Sequence, residues 1–390
     1  MQRYDVVIIG GGLYGTSTAF HLLKREPGLA IAIVEPDPGY EHAASARSNG
    51  GVRILFSQAE SIAMSQYGHA FYADFPSLMA VDAEPAELAL HRHGYLLMAT
   101  HAQQVADMEA NLEQQRAYGC RVDFYDGDSL RRHQPHLRTE DVIAAVKAPD
   151  DMWIDPYGAV TSLMRKVREM GATLIRARAT GLEHGHARID AVQLDDGSRL
   201  GATHVVNCAG AWAPPICAMA GFTVPVQPMP MMVFYFECQS PVEGFGVTID
   251  IGTVSFRPEG AGFISINRRV ERTGEFCWEA DESLFEAENW PRLAHRVPAF
   301  EAIRLKSSYC CHYAYNFFDG NIVIGAWPGG PENFLFATGA SGHGLQHAPA
   351  AGRGLAELIL DGAYTTVDLT RFGARRIVEE RPDPERGFVA

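Results

Sequence analysis

Near its start the chain runs Asp5-Val-Val-Ile-Ile-Gly-Gly-Gly-Leu-Tyr-Gly15, which places glycines 10, 12 and 15 in the spacing G-x-G-x-x-G. Gly10 suits a tight turn, Gly12 lacks the Cβ that would keep a pyrophosphate away, and Gly15 lets a helix sit close to the preceding strand. Glu35 follows Gly15 by twenty positions. A carboxylate there accepts hydrogen bonds from both hydroxyls of an adenosine ribose and repels a 2′-phosphate. With Leu13, Tyr14 and Pro36 alongside, these residues predict the adenosine diphosphate end of a dinucleotide.

Such residues work only when a strand, a turn and a helix present them together. The sequence predicts a doubly buried strand over 6–9, a helix over 16–24 whose positive end faces the phosphates, and a second strand over 30–34. A polar, glycine-rich segment over 42–53 precedes a helical stretch over 57–75. A strand over 92–100 and a helix over 103–118 follow, then a helix over 157–170 introduced by Asp155-Pro156, and strands over 172–177 and 204–210. From 224 to 308 the texture changes to strands without helices, over 231–238, 246–251, 254–257 and 262–267. The α/β rhythm returns with strands over 322–325 and 335–338 and a helix over 342–361. The chain therefore crosses between two units more than once, which places a ligand cleft at their junction. No internal repeat is found.

At 390 residues, with 47% hydrophobic and 21% charged residues, the composition is that of a soluble globular protein. A net charge of −14 argues against nucleic acid as a partner and provides no basic patch for a membrane surface. Small molecules are the expected partners. The first strand begins too early for a cleaved leader and no apolar run is long enough to span a bilayer, so the sequence predicts a cytoplasmic protein with no transmembrane segment. Seven cysteines without C-x-x-C spacing indicate neither a disulfide framework nor a metal site.

A second small-residue turn, Thr338-Gly-Ala-Ser341-Gly342-His343-Gly344-Leu345-Gln346, separates a strand end from a helix start far from the first. One nucleotide end cannot occupy both turns. FAD is long enough to engage both, with its pyrophosphate on the first helix and its flavin under the second. A helix N-terminus there sets positive potential where negative charge gathers on two-electron reduction. The expected fold class is α/β, α+β overall: a Rossmann-type FAD-binding domain over 1–85, 150–222 and 309–375, an interleaved antiparallel-sheet substrate domain over 86–149 and 223–308, and a surface tail over 376–390.

The chain resembles the D-amino-acid-oxidase-type superfamily of FAD oxidoreductases, which includes monomeric sarcosine oxidase, glycine oxidase and the dimethylglycine dehydrogenases. The likeness rests on the opening motif with Glu35, on Ser45-Ala-Arg-Ser-Asn-Gly-Gly-Val-Arg53, Asp155-Pro156, Val205-Val-Asn-Cys-Ala-Gly210, Arg257-Pro-Glu-Gly260 and Ser341-Gly-His-Gly344. Tyr313-Ala-Tyr-Asn-Phe-Phe-Asp319 and Gly342-His-Gly-Leu-Gln-His-Ala-Pro349 are similar to one subgroup, the FAD-dependent oxidoreductase domain-containing proteins. The resemblance implies oxidation of a C–N bond in a secondary amine or amino acid to an imine, with oxygen or another acceptor taking the electrons. It also implies that Ser45, Arg47, Ser48, Asn49, Gly50 and Gly51 wrap the pyrophosphate and flavin edge. Ala209, Gly210 and Trp212 are similar to a turn at the pyrophosphate, and Thr180 to an adenine-binding strand. Arg53, His312, Tyr313, His343 and Gln346 are the candidates around the substrate. Two basic residues that grip a substrate carboxylate in sarcosine oxidases correspond here to Phe56 and Gln346, and a lysine that promotes reaction with oxygen corresponds to Ile264. Covalent flavin attachment occurs in part of the family near Cys311, but the expectation here is non-covalent FAD. Oxidation of a 2-hydroxy acid, or a flavin-containing assembly protein with little turnover, are the alternatives.

Overall fold

In the computed structural model, which describes residues 1–387, the opening strand Gln2–Ile9 lies inside a sheet. It pairs in parallel with Ile31–Val34 on one side and Arg199–Asn207 on the other. Thr173–Ile175 extends the sheet beyond Ile31–Val34, and Phe334–Thr338 extends it beyond Arg199–Asn207 in parallel. Antiparallel strands finish that side: Val323–Ala326 on Phe334–Thr338, and a hairpin of Ala179–His184 and Ile189–Leu194 on Arg199–Asn207. Val6 and Ile8 face the core under the helices Leu13–Arg25, Pro156–Glu169 and Gly344–Leu360, whereas Val7 and Ile9 face a second core with Ile216, Phe222 and Val323. Burial on both faces is why the opening strand is apolar without alternation.

A second sheet of eight strands stands against the first. Its order is Ile303–Asn316, Val226–Cys238, Gly262–Arg268, Val254–Glu259, Val247–Asp250, Tyr95–Ala99, Ala144–Ala148 and Asp123–Asp126. It is not purely antiparallel as expected, because Val247–Asp250 and Tyr95–Ala99 pair in parallel. That pair joins the two stretches of chain that the first sheet separates in sequence. Phe234, Phe236, Phe256, Phe263, Phe285 and Phe300 fill one side of this sheet. On the other, Tyr95, Leu97 and Val146 pack with Leu55, Phe56 and Met108.

The helix expected over 16–24 is Leu13–Arg25, with Gly12 as its N-cap. The helix expected from 342 begins at Gly344, because Ser341 (φ 48°) and Gly342 (φ 100°) are in left-handed conformations that a helix cannot include. Pro349 lies inside that helix and has no N–H for the Leu345 carbonyl. The Tyr72 hydroxyl, from the helix Ala59–Ala73, donates to Leu345 O at 2.8 Å in its place.

The C-terminal segment crosses back over the start of that same helix. Arg376 pairs with Asp319 (2.7 Å), Asp383 O accepts from the side chains of Gln58 and Asn321, and the Glu385 carboxylate accepts from the N–H and hydroxyl of Ser57. Residues 388–390 of the expected tail lie outside the described residues. Among the described residues no helix is long and apolar enough to cross a membrane, and no cluster of His, Cys, Asp or Glu is arranged to hold a metal.

Candidate cofactor and substrate site

Gly10 N–H donates to Val34 O (2.9 Å), which continues the pairing with the second strand up to the point where Gly10, at φ 101°, turns the chain. At Gly15 a Cβ would collide with the Gly10 carbonyl, so only glycine lets the helix start here. Leu13 N–H, at the open end of that helix, donates to Ser45 Oγ (3.1 Å). Glu35 ends the second strand and accepts from Gly11 N–H (2.8 Å) and Asp37 N–H (2.9 Å), which fixes its carboxylate at the glycine turn. Burial pushes the Glu35 carboxyl above its ordinary range, and those two N–H groups oppose the shift. Each oxygen keeps a free lone pair for another donor. Pro36 beside it is exposed.

From this turn a cavity leads to the second glycine cluster. Gly12, Leu13, Tyr14, Ser45 and Gly210 line one end, and Ser341, Gly342, Gly344 and Leu345 line the other. Gly210 has φ 56° and a Cβ there would meet no protein atom within 4 Å. Ala209 N–H is held by Asn207 Oδ1 (3.1 Å), and Gly210 O accepts the Thr338 hydroxyl (2.8 Å), tying this turn to the strand that leads to the second cluster. Ser341 bonds back to the large sheet: its Oγ accepts from Asn316 N–H (3.0 Å) and its N–H donates to Ala314 O (3.0 Å). Those bonds set Tyr313 beside Gly342.

A second, polar cavity of about 270 Å³ meets the first at Ser48, Tyr313 and Gly342. Arg53, Tyr95, Arg268 and Gln346 face it. Arg53 is only 3% exposed. Its N–H donates to Gln346 Oε1 (2.7 Å), its guanidinium lies over the Phe56 ring (4.5 Å), and Nη2 donates to His343 Nε2 (3.3 Å). Since an arginine only donates, Nε2 accepts and His343 is the neutral ring protonated at Nδ1. Burial first, then Arg53, hold His343 well below the ordinary histidine range. Phe56 and Gln346 thus serve Arg53, one as its floor and the other as the acceptor of its backbone. Beneath this loop Asp151 is buried, accepts from Ile54 N–H (3.1 and 3.2 Å) and lies 3.2 Å from His69 Nε2.

The intervening loop is held from three sides. Arg257 Nε donates to Asn49 O (2.8 Å), Gly50 O accepts from Ile154 N–H (2.9 Å), and Gly51 packs directly against the Tyr95 hydroxyl. Gly50 N–H donates to Ser48 Oγ (3.1 Å). Arg47 reaches away from the loop to Cys310 O (2.8 Å). His312 lies not in the polar cavity with Arg53 but on the first cavity, within an aromatic group with Phe276 and Trp278. Trp212 joins that group, and Thr180 is exposed on the outer hairpin, away from both cavities. Tyr95 and Asp151 carry no motif; a tyrosine within an aliphatic strand was the one signal for the former.

The family described as "DAO: FAD dependent oxidoreductase" matches residues 5–358. The chain belongs to this family. Among curated relatives, FAD-dependent oxidoreductase domain-containing protein 1 of Xenopus laevis is 32% identical, covering 100% of this chain and 85% of that protein. Mitochondrial sarcosine dehydrogenase of Mus musculus is 28% identical over 98% of this chain and 42% of its own length. The crystal structure of L-proline dehydrogenase from P. horikoshii superposes with a TM-score of 0.86 at 23% identity, covering 98% of this chain and 100% of that one, and shares its fold. The cofactor of this DAO-family chain is FAD. The cavity fits it: it runs between two helix N-termini, and the Cβ missing at Gly210 would stand in the cavity itself.

Proposed function

We propose that this oxidoreductase oxidises the C–N bond of a secondary amine or amino acid to an imine, which then hydrolyses. FAD when bound supplies the acceptor for the hydride, at N5 of the flavin. The observation that carries the reading is the meeting of the two cavities at Ser48, Tyr313 and Gly342, with Arg53 and Arg268 on the polar side. The guanidinium of Arg53, buried and directed by His343 and Phe56 while Gln346 holds its backbone N–H, suits a substrate carboxylate, and Arg268 faces the same space. Neutral His343 leaves the positive charge of this space to Arg53 and Arg268, and that charge favours loss of a proton from the substrate's ammonium group. Tyr95 and Tyr313, whose hydroxyls burial holds far above their ordinary range, stay protonated and act as donors. Orientation of a neutral amine with its α-hydrogen toward the cavity junction does most of the work, and no strong general base is required.

In this reading 1–85, 150–222 and 309–375 form the FAD unit and 86–149 and 223–308 the substrate unit. The FAD is held non-covalently: burial raises the Cys311 thiol far above its ordinary range, so it is a poor nucleophile although it lines the cavity. Acid precipitation is expected to leave flavin in the supernatant, and flavin in the pellet that is lost on Cys311→Ala would reverse that assignment. Anaerobic addition of secondary amines, amino acids and 2-hydroxy acids, followed by flavin bleaching, tests the reaction. Bleaching by an amine supports it; bleaching by 2-hydroxy acids alone, or by nothing in the panel, rejects it.

A further inference from the structure

Residues 269–281 leave the large sheet after Gly262–Arg268 and cross to the nucleotide end of the first cavity. Phe276 stacks on Trp212 with centroids 5.0 Å apart, and Trp278 stacks on His42 at 4.2 Å. Trp212 lies two residues after Gly210 and His42 two before Ala44, so the rings stack beside residues that line the nucleotide end of the cavity, and Trp278 also faces Trp212 at 6.1 Å. Between them Cys277 N–H donates to His312 Nε2 (2.8 Å), and Trp278 meets His312 edge-on at 4.6 Å. The segment is tied to the sheet near its start by Arg269 N–H to Pro230 O (2.9 Å) and Gly274 N–H to Pro228 O (2.8 Å), and beyond Gly274 it is held over the strand beneath by ring contacts and the Cys277–His312 hydrogen bond.

That strand, Ile303–Asn316, alternates its side chains, so Cys310 points to the same side as His312 while Cys311 points to the side of Ile264. Cys277 N–H bonds to His312, Cys310 lies on the same side of the strand two residues earlier, and Cys277 packs against the core that contains Cys310, which brings the two thiols within reach of each other. Cys310 is fully buried. Cys277 is half-buried, and its sulfur accepts from Arg272 Nη1 (3.6 Å). Solvent therefore reaches one thiol of the pair, and the other is reached through it. Burial, with Cys277 next to it, pushes the Cys310 thiol up to about 12, which suits a thiol that reacts second.

We propose that Cys277 and Cys310 form a reversible disulfide that fastens segment 269–281 over the nucleotide end of the FAD site, with a peroxide as oxidant. The Cys277 sulfur attacks one peroxide oxygen; an S–O bond forms as the O–O bond breaks, and the other oxygen leaves as water with the thiol proton. The Cys310 sulfur then attacks Cys277, the S–S bond forms, the S–O bond breaks, and a second water leaves with the Cys310 proton. Two thiols are oxidised and one peroxide is reduced to two waters. A dithiol reverses the reaction by exchange. The cross-link restrains the lifting of Phe276 and Trp278 from Trp212 and His42 and so slows the escape of FAD past them.

The test uses FAD-loaded protein treated with hydrogen peroxide, alkylated, digested and mapped by mass spectrometry, with FAD release followed in parallel by flavin fluorescence. A Cys277–Cys310 cross-linked peptide is expected, removed by dithiothreitol, together with several-fold slower release. In Cys277→Ser and Cys310→Ser both effects are lost, while release from the untreated variants matches that of untreated protein. Should Cys310→Ser not fold, Cys277→Ser on the half-buried segment carries the comparison alone. Absence of the cross-link where Cys277 is oxidised to sulfenic acid, or a cross-link that leaves release unchanged, overturns the proposal. Neither readout involves turnover, so both stand apart from the amine-oxidation reading.

Discussion

Gly12 and Gly15 differ in what they protect. Gly12 has φ −69°, open to any residue, and an added Cβ would meet only Ser45 Oγ at 3.1 Å, on the edge of the cavity. Gly15 instead faces the Gly10 carbonyl and the Ile8 side chain. Gly12→Val is therefore expected to give folded protein with little FAD, and Gly15→Val to lose the fold itself; circular dichroism and flavin content separate the two. Full FAD content in Gly12→Val would place the pyrophosphate elsewhere. Oxygen chemistry is decided at the same scale. Ile264 stands in an apolar group with Met231, Val233 and Cys311, and the chain's lysines, Lys24, Lys147, Lys166 and Lys306, all lie outside both cavities. A fixed cation beside developing superoxide lowers the electron-transfer barrier by about 3 kcal/mol, and an isoleucine supplies none. Reduced protein is expected to reoxidise slowly with oxygen and rapidly with a phenazine or quinone dye in stopped-flow. Fast oxygen reactivity that is lost on Arg53→Met would reject this and identify the substitute cation. Residues whose role depends on backbone geometry, such as Gly10, Gly15 and Gly210, were legible in the sequence because few other residues fit there. Tyr95, Asp151 and the position of His312 on the first cavity were not, since each depends on which distant strand arrives opposite.

Among the elements, the helix Gly344–Leu360 is unusual in carrying a proline where its first free carbonyl needs a donor, and Tyr72 supplies it across the interface. Tyr72→Phe leaves Leu345 O buried and unpaired, at a cost of about 1–3 kcal/mol in urea denaturation. Adding Pro349→Ala to that variant returns the helical N–H and is expected to recover much of the loss; no recovery would mean that the hydroxyl acts in another way. The helices and inner strands of the first sheet could be read from apolar period and caps. Their ends shifted where turn conformation intervened, as at Ser341 and Gly342. Ile303–Asn316 escaped notice as a strand because Lys306, Ser307 and Ser308 interrupt any pattern, and pairing with Val226–Cys238 along its length imposes the conformation. Ala144–Ala148, alanine-rich and without strand propensity, was hidden for the same reason.

At the scale of the whole molecule, acid is expected to act first through buried histidines. Burial lowers His21 and His347 to about 3 and His312 to about 4, from an ordinary 6.5. The unfolded chain takes up these protons below pH 6.5 and the folded chain does not, so stability falls as pH drops through that window, by up to about 1.4 kcal/mol per pH unit for each ring. Asp141 and Glu357, held near 2, add their loss only below the ordinary carboxylate range. Glu35, Asp151 and Asp250, raised by burial, act with the opposite sign. His21 packs among Phe20, Tyr67 and Phe71, with Arg353, Lys24 and Glu357 as charged neighbours, and His21→Phe removes this one histidine. Urea midpoints at pH 7.5 and 5.5 should fall further apart in the parent than in that variant, and equal drops would assign the acid sensitivity to other groups. The central place of Gln2–Ile9 has a further consequence, for biosynthesis. One edge of this apolar strand is covered by Ile31–Val34 early, but the other waits for Arg199–Asn207. At roughly 5–20 residues per second the ribosome leaves that edge open for on the order of ten to thirty seconds. A nascent chain with such an edge is a substrate for chaperones. FAD can be gripped at both ends only once Gly344–Leu360 has emerged, which makes cofactor loading the closing event of folding rather than a seed for it.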